Sequence, residues 1–402
     1  MTNNLFDKAK PILERLQSHD FQAYFVGGSV RDFLLNRPIN DVDITTDALP
    51  DDIERIFDKT IDVGKEHGTI VVLIDQDPFE VTTYRVEGDY SNYRRPDQVF
   101  FTNKLSDDLS RRDFTINAMA MSKDMKVFDP FDGQVDLKNR VIRTVGKAEA
   151  RFGEDALRML RAVRFMSQLD FQLSEDVISS IEENGKLLQH IASERSFVEL
   201  DKLYRGKNPQ VAKSVIDKTN LLHYLPFFSH VSHENFLSSK VSNLADELIL
   251  QIYLKSDLHD YLHELKPSNK LKAYINNSLS LIETLDTDID SRIIAYRFER
   301  TVLEGVTEIN RTNQILTQSS SHTLSDALDK KESLIIKDRS ELAINGKDLM
   351  DALGIAGGPW LKEALNLIEI AVLTEEVNNN KTDIINWVKK HANDQNGTIS
   401  FT

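Results

Sequence analysis

The sequence predicts a mixed α/β domain at the N-terminus, followed by a long all-helical remainder. Short β-branched runs alternate with helical patterns in the first part, and strand signals vanish after about Val145. At 402 residues the chain is too long for one ordinary core, since domains usually hold ~100–200 residues. We therefore expect an elongated, multi-domain protein whose strands are confined to its first domain.

Each predicted element of the first domain rests on a local pattern. Strands are β-branched or aromatic runs bounded by Gly, Pro or Asp, and helices begin at a turn or a proline. In chain order they are a strand at Tyr24–Val26, a helix from about Ser29, a strand at Val42–Thr45, a helix from about Pro50 to Phe57, and strands at Gly68–Ile74 and Phe79–Tyr84.

The remainder is predicted to be helical, with breaks at three prolines. The breaks fall at Asn208-Pro209, Pro226 and Lys266-Pro267, because proline cannot continue a helix. The stretch from Gln314 to Ser333 is rich in Ser, Thr and Asp, so it is the best candidate for a linker.

Composition excludes several kinds of site. Hydrophobic residues make up 40% of the chain and charged residues 28%, as in globular proteins, and there is no cysteine. Disulfides, thiolate zinc sites, iron–sulfur clusters and a cysteine nucleophile are therefore excluded. The chain has neither a signal-like start nor an apolar run of ~18 residues, so we expect a cytoplasmic protein.

The total charge and the local distribution of charge point to different partners. A net charge of −15 argues against a nucleic-acid partner, because affinity for a phosphate backbone comes largely from Lys and Arg. From Lys138 to Arg164, however, eight basic and three acidic residues give a local charge of +5. We expect this basic stripe to grip RNA weakly.

Asp41 and Asp43 are the strongest chemical signal. Two positions apart on a predicted strand, their carboxylates would share one face while Val42 points into the core. Such a pair can hold Mg²⁺ ions that keep phosphate oxygens as further ligands, which suits phosphoryl transfer. Glu80, between two apolar residues on a neighbouring predicted strand, is the candidate third carboxylate; a half-exposed strand shows the same alternation.

A glycine turn precedes the carboxylate pair by a 12-residue spacer. Gly27-Gly28 at a helix start would let backbone N–H groups approach triphosphate oxygens, and Arg31 could clamp phosphate. Taken alone, Gly27-Gly28 is more simply interpreted as a turn. Asp41-Val42-Asp43, taken alone, is more simply interpreted as a solvated strand edge. Their order and spacing together favour the catalytic interpretation.

These residues resemble a known family. Gly27 to Asp32 followed by Asp41-Val42-Asp43 is similar to the first motif of the class II CCA-adding enzymes (tRNA nucleotidyltransferases) of the DNA-polymerase-β superfamily. Four further segments match in family order. They are Arg111 to Ala120, Glu154 to Arg161, Ser193 to Leu200, and Gly346 to Leu349.

The resemblance implies a fold and a reaction. The fold would be an α/β nucleotidyltransferase head at 1–145, a helical neck at 146–207 that binds nucleotide and the RNA 3′ end, a helical body at 208–330 and a helical tail at 331–402 that binds tRNA. The reaction would be addition of C, C and A to the 3′ end of tRNA from CTP and ATP, by two-metal, Mg²⁺-dependent phosphoryl transfer that releases pyrophosphate. A homodimer stays open as an alternative to a monomer.

The resemblance also implies residue roles. Arg112 and Asp113, supported by Asn117, would select ribonucleotides, since a fork of donors beside an acceptor suits a ribose and a phosphate. Asp155 and Arg158 would imitate the pairing edge of a base and so select the nucleotide. A salt bridge is the alternative for the first pair, and an exposed helix with ion pairs for the second.

The run from Glu154 to Arg164 is predicted to be helical, with an apolar face opposite its arginines. That face comprises Phe152, Met159, Val163 and Met166. Arg161 and Arg164, with no acid nearby in sequence except Glu154, are expected to contact triphosphate. Ser193 is predicted to cap a bracing helix whose first turn holds Glu194.

Three other functions share part of this signal. A bacterial poly(A) polymerase, or a partial CC-adding or A-adding enzyme, would have the same head. The segment Tyr90 to Asp97 resembles a flexible loop that is shortened or missing in CC-adding members, which favours addition of all three nucleotides; a surface loop without a catalytic role is the alternative. An inert RNA-binding scaffold would not need Asp41, Asp43 and Arg112, and a small-substrate nucleotidyltransferase would not explain the basic stripe.

Overall fold

The computed structural model describes residues 4–88, 90, 98–395 and 398–401. Its strands are β1 (Ala23–Val26), β2 (Asp43–Thr46), β3 (Thr60–Gly64), β4 (Thr69–Ile74), β5 (Asp77–Thr83), β6 (Arg85–Glu87), β7 (Val99–Phe101), β8 (Ala120–Met121), β9 (Val127–Phe128), β10 (Val141–Ile142), β11 (Gln172–Leu173), β12 (Ala392–Gln395) and β13 (Thr398–Phe401).

Helices make up most of the rest of the described chain. They are α1 (Asn4–Gln17), α2 (Gly28–Leu34), α3 (Pro50–Ile56), α4 (Leu105–Ser110), α5 (Gly133–Asn139), α6 (Ala148–Glu154), α7 (Leu157–Leu169), α8 (Glu175–Asn184), α9 (Ser193–Tyr204), α10 (Pro209–Lys218), α11 (His233–Ser238), α12 (Leu244–Leu254), α13 (Asn269–Leu285), α14 (Ser291–Arg297), α15 (Arg300–Asn313), α16 (Gln318–Lys330), α17 (Gly346–Leu353), α18 (Trp360–Leu373) and α19 (Lys381–His391).

The chain divides into two compact units, which we describe separately. The first comprises residues 1–238, 242–244 and 258–266, and the second comprises 239–241, 245–257 and 267–402. In the part of the chain that the structure describes, no helix is long and apolar enough to cross a bilayer.

The first unit is built on a seven-stranded mixed sheet in the order β3-β4-β5-β2-β1-β8-β9. Only the β2–β5 pair is parallel, and the other neighbours are antiparallel. The sheet buries the β-branched and aromatic side chains that predicted its strands, including Phe25, Ile44 and Val81. The mixed α/β head followed by helices is therefore confirmed.

The second unit is almost entirely helical. Its α17, α18 and α19 enclose a hydrophobic core that includes Leu349, Ile368, Val372 and Ile384, all fully buried. Strand signals were expected to vanish after Val145, but β11, β12 and β13 are short exceptions. β12 and β13 pair only with each other, so local pairing rather than a sheet core explains them.

The predicted linker at Gln314 to Ser333 is wrong, since α16 occupies most of it. The Thr317 side chain accepts a hydrogen bond from the Ser320 N–H at 3.1 Å and so caps the helix. Leu324 and Ala327 are buried on one face of α16. The Ser and Thr residues that suggested a linker serve instead as a cap and as a polar helix face.

Two of the three proline breaks coincide with helix starts. Pro209 begins α10, and the Asn208 side chain caps it by accepting from the Val211 N–H. Pro267 lies just before α13, which the Ser268 side chain caps. Pro226 lies between two short 3-10 helices. The helix boundaries predicted from these prolines are therefore confirmed, because proline cannot continue a helix but is tolerated in its first turn.

Candidate active site

A single open cavity of about 870 Å³ in the first unit gathers nearly all of the predicted site residues. Its walls come from the β1–α2 turn, the segment before β2, the segment after α4, and helices α7 and α9. The predicted residues that line it are Gly28, Arg31, Asp41, Asp43, Arg112, Asp113, Asn117, Asp155, Arg158, Arg161 and Arg164. Glu80 does not line the cavity.

The carboxylate pair stands at the start of β2. Val42 is 4% exposed and points into the core, as predicted. Asp43 is the first residue of the strand and Asp41 precedes it, so the prediction that both lie on the strand is wrong. Both carboxylates still line the same cavity. Burial, and then the neighbouring Asp41 and Glu80 carboxylates, raise the pKa of Asp43 to about 6 against the lowering effect of Arg112.

The excess of negative charge at Asp43 makes this pair the candidate site for a divalent cation. Bound cations relieve such repulsion, and carboxylate oxygens are the ligands that Mg²⁺ prefers. Over the described residues, no group of three or more acidic or histidine side chains is arranged to hold a metal. Two carboxylates that line an open cavity fit a cation held by Asp41 and Asp43 together with substrate oxygens.

Glu80 lies on β5, the strand beside β2. Ile44 is paired with Val81 in parallel register, which puts Glu80 level with Asp43. The Glu80 side chain is exposed and adds to the negative field at Asp43. Its role as a third catalytic carboxylate stays a prediction.

The glycine turn is placed against the carboxylates by strand pairing. Val26 of β1 pairs with Asp43, so Gly27 and Gly28 follow directly beside the pair. Gly27 has φ of 75°, a conformation that glycine adopts without strain. A Cβ on Gly27 would lie 3.1 Å from Arg112 Nη1 and 3.7 Å from Asp43 Oδ2. The absence of a side chain thus lets the turn, the carboxylate and the guanidinium approach each other.

A chain of hydrogen bonds joins Arg31 to α7. Arg31 Nη1 donates to Asn117 Oδ1 at 2.7 Å, and Asn117 Nδ2 donates to Asp113 Oδ1 at 3.0 Å. Arg161 donates to Asp113 Oδ2 through Nε at 2.8 Å and Nη2 at 2.5 Å. Burial opposes ionisation of Asp113, but Arg161 and then Asn117 outweigh it and hold the pKa of that carboxyl well below its usual range.

Arg112 and Asp113, predicted as a functional pair, do not bond each other. Arg112 pairs instead with Asp108, from Nη2 to Oδ2 at 3.4 Å. Asp108 is fully buried on α4 and also accepts from Arg111 and from Thr45 Oγ1 on β2. The Arg112 Nε is buried without a hydrogen-bond partner, and the Arg112 side chain lines the cavity.

The predicted continuous helix from Glu154 to Arg164 is interrupted at Asp155. Asp155 has φ −133° and ψ 104°, so α6 ends before it and α7 begins at Leu157. Its Oδ1 accepts from the Leu157 N–H at 3.1 Å, and its Oδ2 accepts from Arg195 at 3.1 Å. Bonding between the Asp155 carboxylate and the backbone competes with the helix here, which explains the break.

Arg158 pairs with Glu154 rather than with Asp155. Its guanidinium donates to Glu154 Oε2 and to the carbonyl of Arg151 and lies 4.0 Å from Glu87. Arg158 is only 7% exposed, so the exposed-helix alternative is wrong although its Glu154 ion pair is present. Asp155 and Arg158 both reach the cavity, held by different neighbours.

On the arginine face of α7, Arg158 and Arg164 are buried and Arg161 is half-buried. Arg164 is 7% exposed and its Nε lies 2.8 Å from Glu199 Oε2, while Arg161 Nη1 lies 3.9 Å from Glu199. Helix α9 therefore supplies the acid for Arg164, whereas Asp113 is the nearer carboxylate for Arg161. Because α9 is remote in sequence, no reading of α7 alone could find it.

Helix α9 does more than brace α7. Ser193 is not its cap, because Ala192 occupies that position and no side chain caps the helix. Glu194 does lie in the first turn, as predicted. Arg195 and Glu199 line the cavity, so a segment that was given a purely structural role contributes to the site.

The basic stripe is only partly available to a polyanion. Its arginines at 143, 151, 158, 161 and 164 all have carboxylate partners. Lys138, Arg140 and Lys147 are exposed, and no described carboxylate forms an ion pair with them. The cavity wall itself has seven arginines and eight carboxylates, a formal charge of −1.

The segment Tyr90 to Asp97, compared above with a flexible loop, lies outside the described residues except for Tyr90. The Tyr90 hydroxyl donates to Glu87 Oε2. Glu87 also accepts from Arg111 at 3.2 Å. Glu87 and Asp108 are functional neighbours that sequence reasoning missed; the spacing of Asp108 four residues before Arg112 was the only available signal.

The sheet, the carboxylate pair beside a glycine turn and the facing arginines define a nucleotidyltransferase. A family model described as the poly(A) polymerase head domain matches residues 23–143. A model for the RNA- and SrmB-binding site of polymerase A matches residues 170–231, and one for tRNA nucleotidyltransferase domain 2 matches residues 243–388.

Comparison with known proteins identifies the family. The CCA-adding enzyme of Staphylococcus saprophyticus is 43% identical, covering 97% of this chain and 99% of its own, and that of Staphylococcus epidermidis is 42% identical, covering 98% and 100%. The structure of the Bacillus stearothermophilus CCA-adding enzyme in complex with CTP matches with a TM-score of 0.84 at 36% identity, over 96% of this chain and 97% of that one. The chain belongs to the CCA-adding enzymes, nucleotidyltransferases that generally use divalent metals.

Proposed function

We propose that this protein adds C, C and A to the 3′ end of tRNA from CTP and ATP, with release of pyrophosphate, and so matures and repairs tRNA 3′ termini. The observation that carries the proposal is the single cavity in which the Asp41 and Asp43 carboxylates face the base-selecting candidates Asp155 and Arg158. A template-independent polymerase needs both: a site for phosphoryl transfer and protein groups that choose the base.

We assign the metal to Asp41 and Asp43 and propose Mg²⁺, with Glu80 as the candidate third catalytic carboxylate. When bound, the metal neutralises phosphate charge and favours ionisation of the attacking hydroxyl. The terminal 3′-hydroxyl of the tRNA attacks the α-phosphate of the nucleotide, and pyrophosphate leaves. The two carboxylates keep the reacting groups in one place, so positioning supplies much of the rate.

The other cavity residues are assigned to the nucleotide. Gly28 and Arg31, with Arg161 and Arg164, would bind the triphosphate. Arg112 and Asp113, supported by Asn117, would read the ribose. Asp155 and Arg158 would read the base edge, and their present hydrogen bonds to Arg195 and Glu154 support this by holding both groups in place before substrate arrives.

We further propose the functional division into a head at 1–145, a neck at 146–207, a body at 208–330 and a tail at 331–402, the last three being helical. The exposed Lys138, Arg140 and Lys147 would contact tRNA phosphates. A cytoplasmic location follows from the proposed substrates. A homodimer stays the alternative to a monomer, and light scattering of the purified protein distinguishes the two.

The test is nucleotide incorporation into tRNA transcripts that end at the discriminator base. With CTP and ATP together we expect three added residues, C, C and A. A long A tail would indicate a poly(A) polymerase, and two C residues a CC-adding enzyme. Absence of pyrophosphate release would leave only a binding role and overturn the proposal.

Variants locate the chemistry in the cavity. Asp43→Asn and Asp41→Ala should abolish incorporation while tRNA binding persists. Asp51→Asn, at an exposed carboxylate outside the cavity, serves as the matched control and should incorporate normally. Asp155→Ala or Arg158→Ala should lose discrimination between CTP and ATP before losing all turnover; unchanged discrimination would contradict their role.

A further inference from the structure

Phe165 lies at the centre of three guanidinium groups. The ring, on α7, lines the cavity and is 6% exposed. The guanidinium carbons lie over it at 4.1 Å for Arg164, 5.1 Å for Arg31 and 5.6 Å for Arg161, measured to the ring centroid. All three distances are within the range of cation–π attraction, which acts over about 6 Å.

In the part of the chain that the structure describes, no carboxylate forms an ion pair with all three arginines. Arg31 has Asp32 at 2.8 Å, and Arg161 has Asp113. Glu199 pairs with Arg164 and, more distantly, with Arg161. Each acid therefore fixes one or two of the guanidiniums. Among the described residues, only the Phe165 ring contacts all three guanidiniums.

Gathering three cations in a buried place is unfavourable. Burial and then the charges of Arg161 and Arg31 lower the pKa of Arg164 to about 10, against the raising effect of Glu199. An aliphatic side chain of similar size would fill the same volume without offsetting this repulsion. The negative face of an aromatic ring offsets it directly.

The orientation of the ring is itself fixed. Phe114, fully buried, meets Phe165 edge-on with ring centroids 5.7 Å apart and an interplanar angle of 83°. Phe114 directly follows Asp113, which bonds Arg161. The ring is thus anchored to the segment that carries the ribose-reading candidates, and it is not free to turn away from the guanidiniums.

We propose that Phe165 is a positioning residue that holds Arg31, Arg161 and Arg164 as one preset anion site for the triphosphate of the incoming nucleotide. The inference rests on the proposed function and deepens it. Phe165 acts through the arginines and not by touching the substrate. Its contribution is to remove the reorganisation that three separately held guanidiniums would need when the nucleotide binds.

Stepwise fluorination of the Phe165 ring tests the proposal in the full-length protein. Fluorine withdraws charge from the ring face with little change in shape, so the mono-, di- and trifluoro forms weaken cation–π attraction in steps. We expect the KM for CTP to rise progressively, by about fivefold to tenfold at trifluorophenylalanine. Phe152, fully buried on α6 and without a guanidinium contact among the described residues, is the matched control and should show no trend.

Two competitors separate a triphosphate site from a general packing role. Fluorination at 165 should weaken inhibition by inorganic pyrophosphate and leave inhibition by cytidine unchanged. An unchanged KM across the series, an equal trend at Phe152, or equal weakening of both competitors would overturn the assignment. The unmodified protein measured alongside tests the proposed function separately, because loss of incorporation there concerns the reaction and not Phe165.

Discussion

Replacing Glu199 by glutamine should destabilise the first unit far more than the same change at a neighbouring exposed glutamate. Glu199 and Arg164 are 7% and 9% exposed at their side chains and lie 2.8 Å apart. Removing one partner of a buried ion pair typically costs ~3–5 kcal/mol, because the other charge is left in a poor solvent. Glutamine keeps the shape and an acceptor oxygen, so we expect the low end, about 3 kcal/mol.

The expected shift in melting temperature follows from the size of the unit. For ~150–250 residues, 1 kcal/mol corresponds to ~2–4 °C, so Glu199→Gln should lower Tm by about 6–12 °C. Differential scanning calorimetry measures this directly. Glu194→Gln is the control on the same helix, since Glu194 and its partner Lys266 are 55% and 60% exposed. Exposed ion pairs contribute little to the free energy of unfolding, and we therefore expect the Glu194→Gln variant to melt within about 2 °C of the unmodified protein. Equal shifts for the two variants would show that Arg164 does not depend on Glu199.

Three further changes test other parts of the structure. Asp108→Asn removes the carboxylate that Arg112 bonds, and should reduce discrimination of CTP over dCTP by about tenfold in kcat/KM; Asp107→Asn, whose carboxylate accepts from Thr102, should not change that ratio. Thr317→Ala removes the cap of α16 and should lower the free energy of unfolding of the second unit by about 1 kcal/mol in urea titrations, whereas an unchanged midpoint would mean that the cap is dispensable. Gly133→Ala would bring a Cβ to 2.4 Å from the Thr115 carbonyl oxygen and should lower the free energy of unfolding of the first unit by about 1–3 kcal/mol in urea titrations. Gly153→Ala, where a Cβ would have nothing within 4 Å, should leave that free energy unchanged or raise it.

The head could be predicted from sequence because its signals are local. Runs of β-branched residues bounded by Gly, Pro or Asp located β4 and β5, and the glycine turn located the start of α2. The order of the glycines and the carboxylates located the reaction centre. These patterns depend on residues within a few positions of each other, which a sequence displays directly.

The environment of the α7 arginines could not be predicted, because the residues that pair with them are remote in sequence. Whether Arg164 is exposed depends on Glu199, a residue of another helix. Similarly, the break at Asp155 depends on a backbone bond that competes with the helix and on Arg195 of α9. Helical periodicity recognises a charged face but does not reveal that a second helix supplies the opposite charge.

The failed linker illustrates a related point. Ser and Thr favour loops by average preference, yet the Thr317 side chain also satisfies a free helix N–H group. Leu324 and Ala327 then supply enough buried surface to keep α16 against its neighbours. Composition alone cannot distinguish a polar linker from a capped amphipathic helix.

The near balance of seven arginines and eight carboxylates in the cavity wall affects how a nucleotide is captured. A site with almost no net charge has a weak long-range field, so it draws in polyanions no faster than ordinary diffusion allows. Recognition is then left to short contacts that require the correct shape.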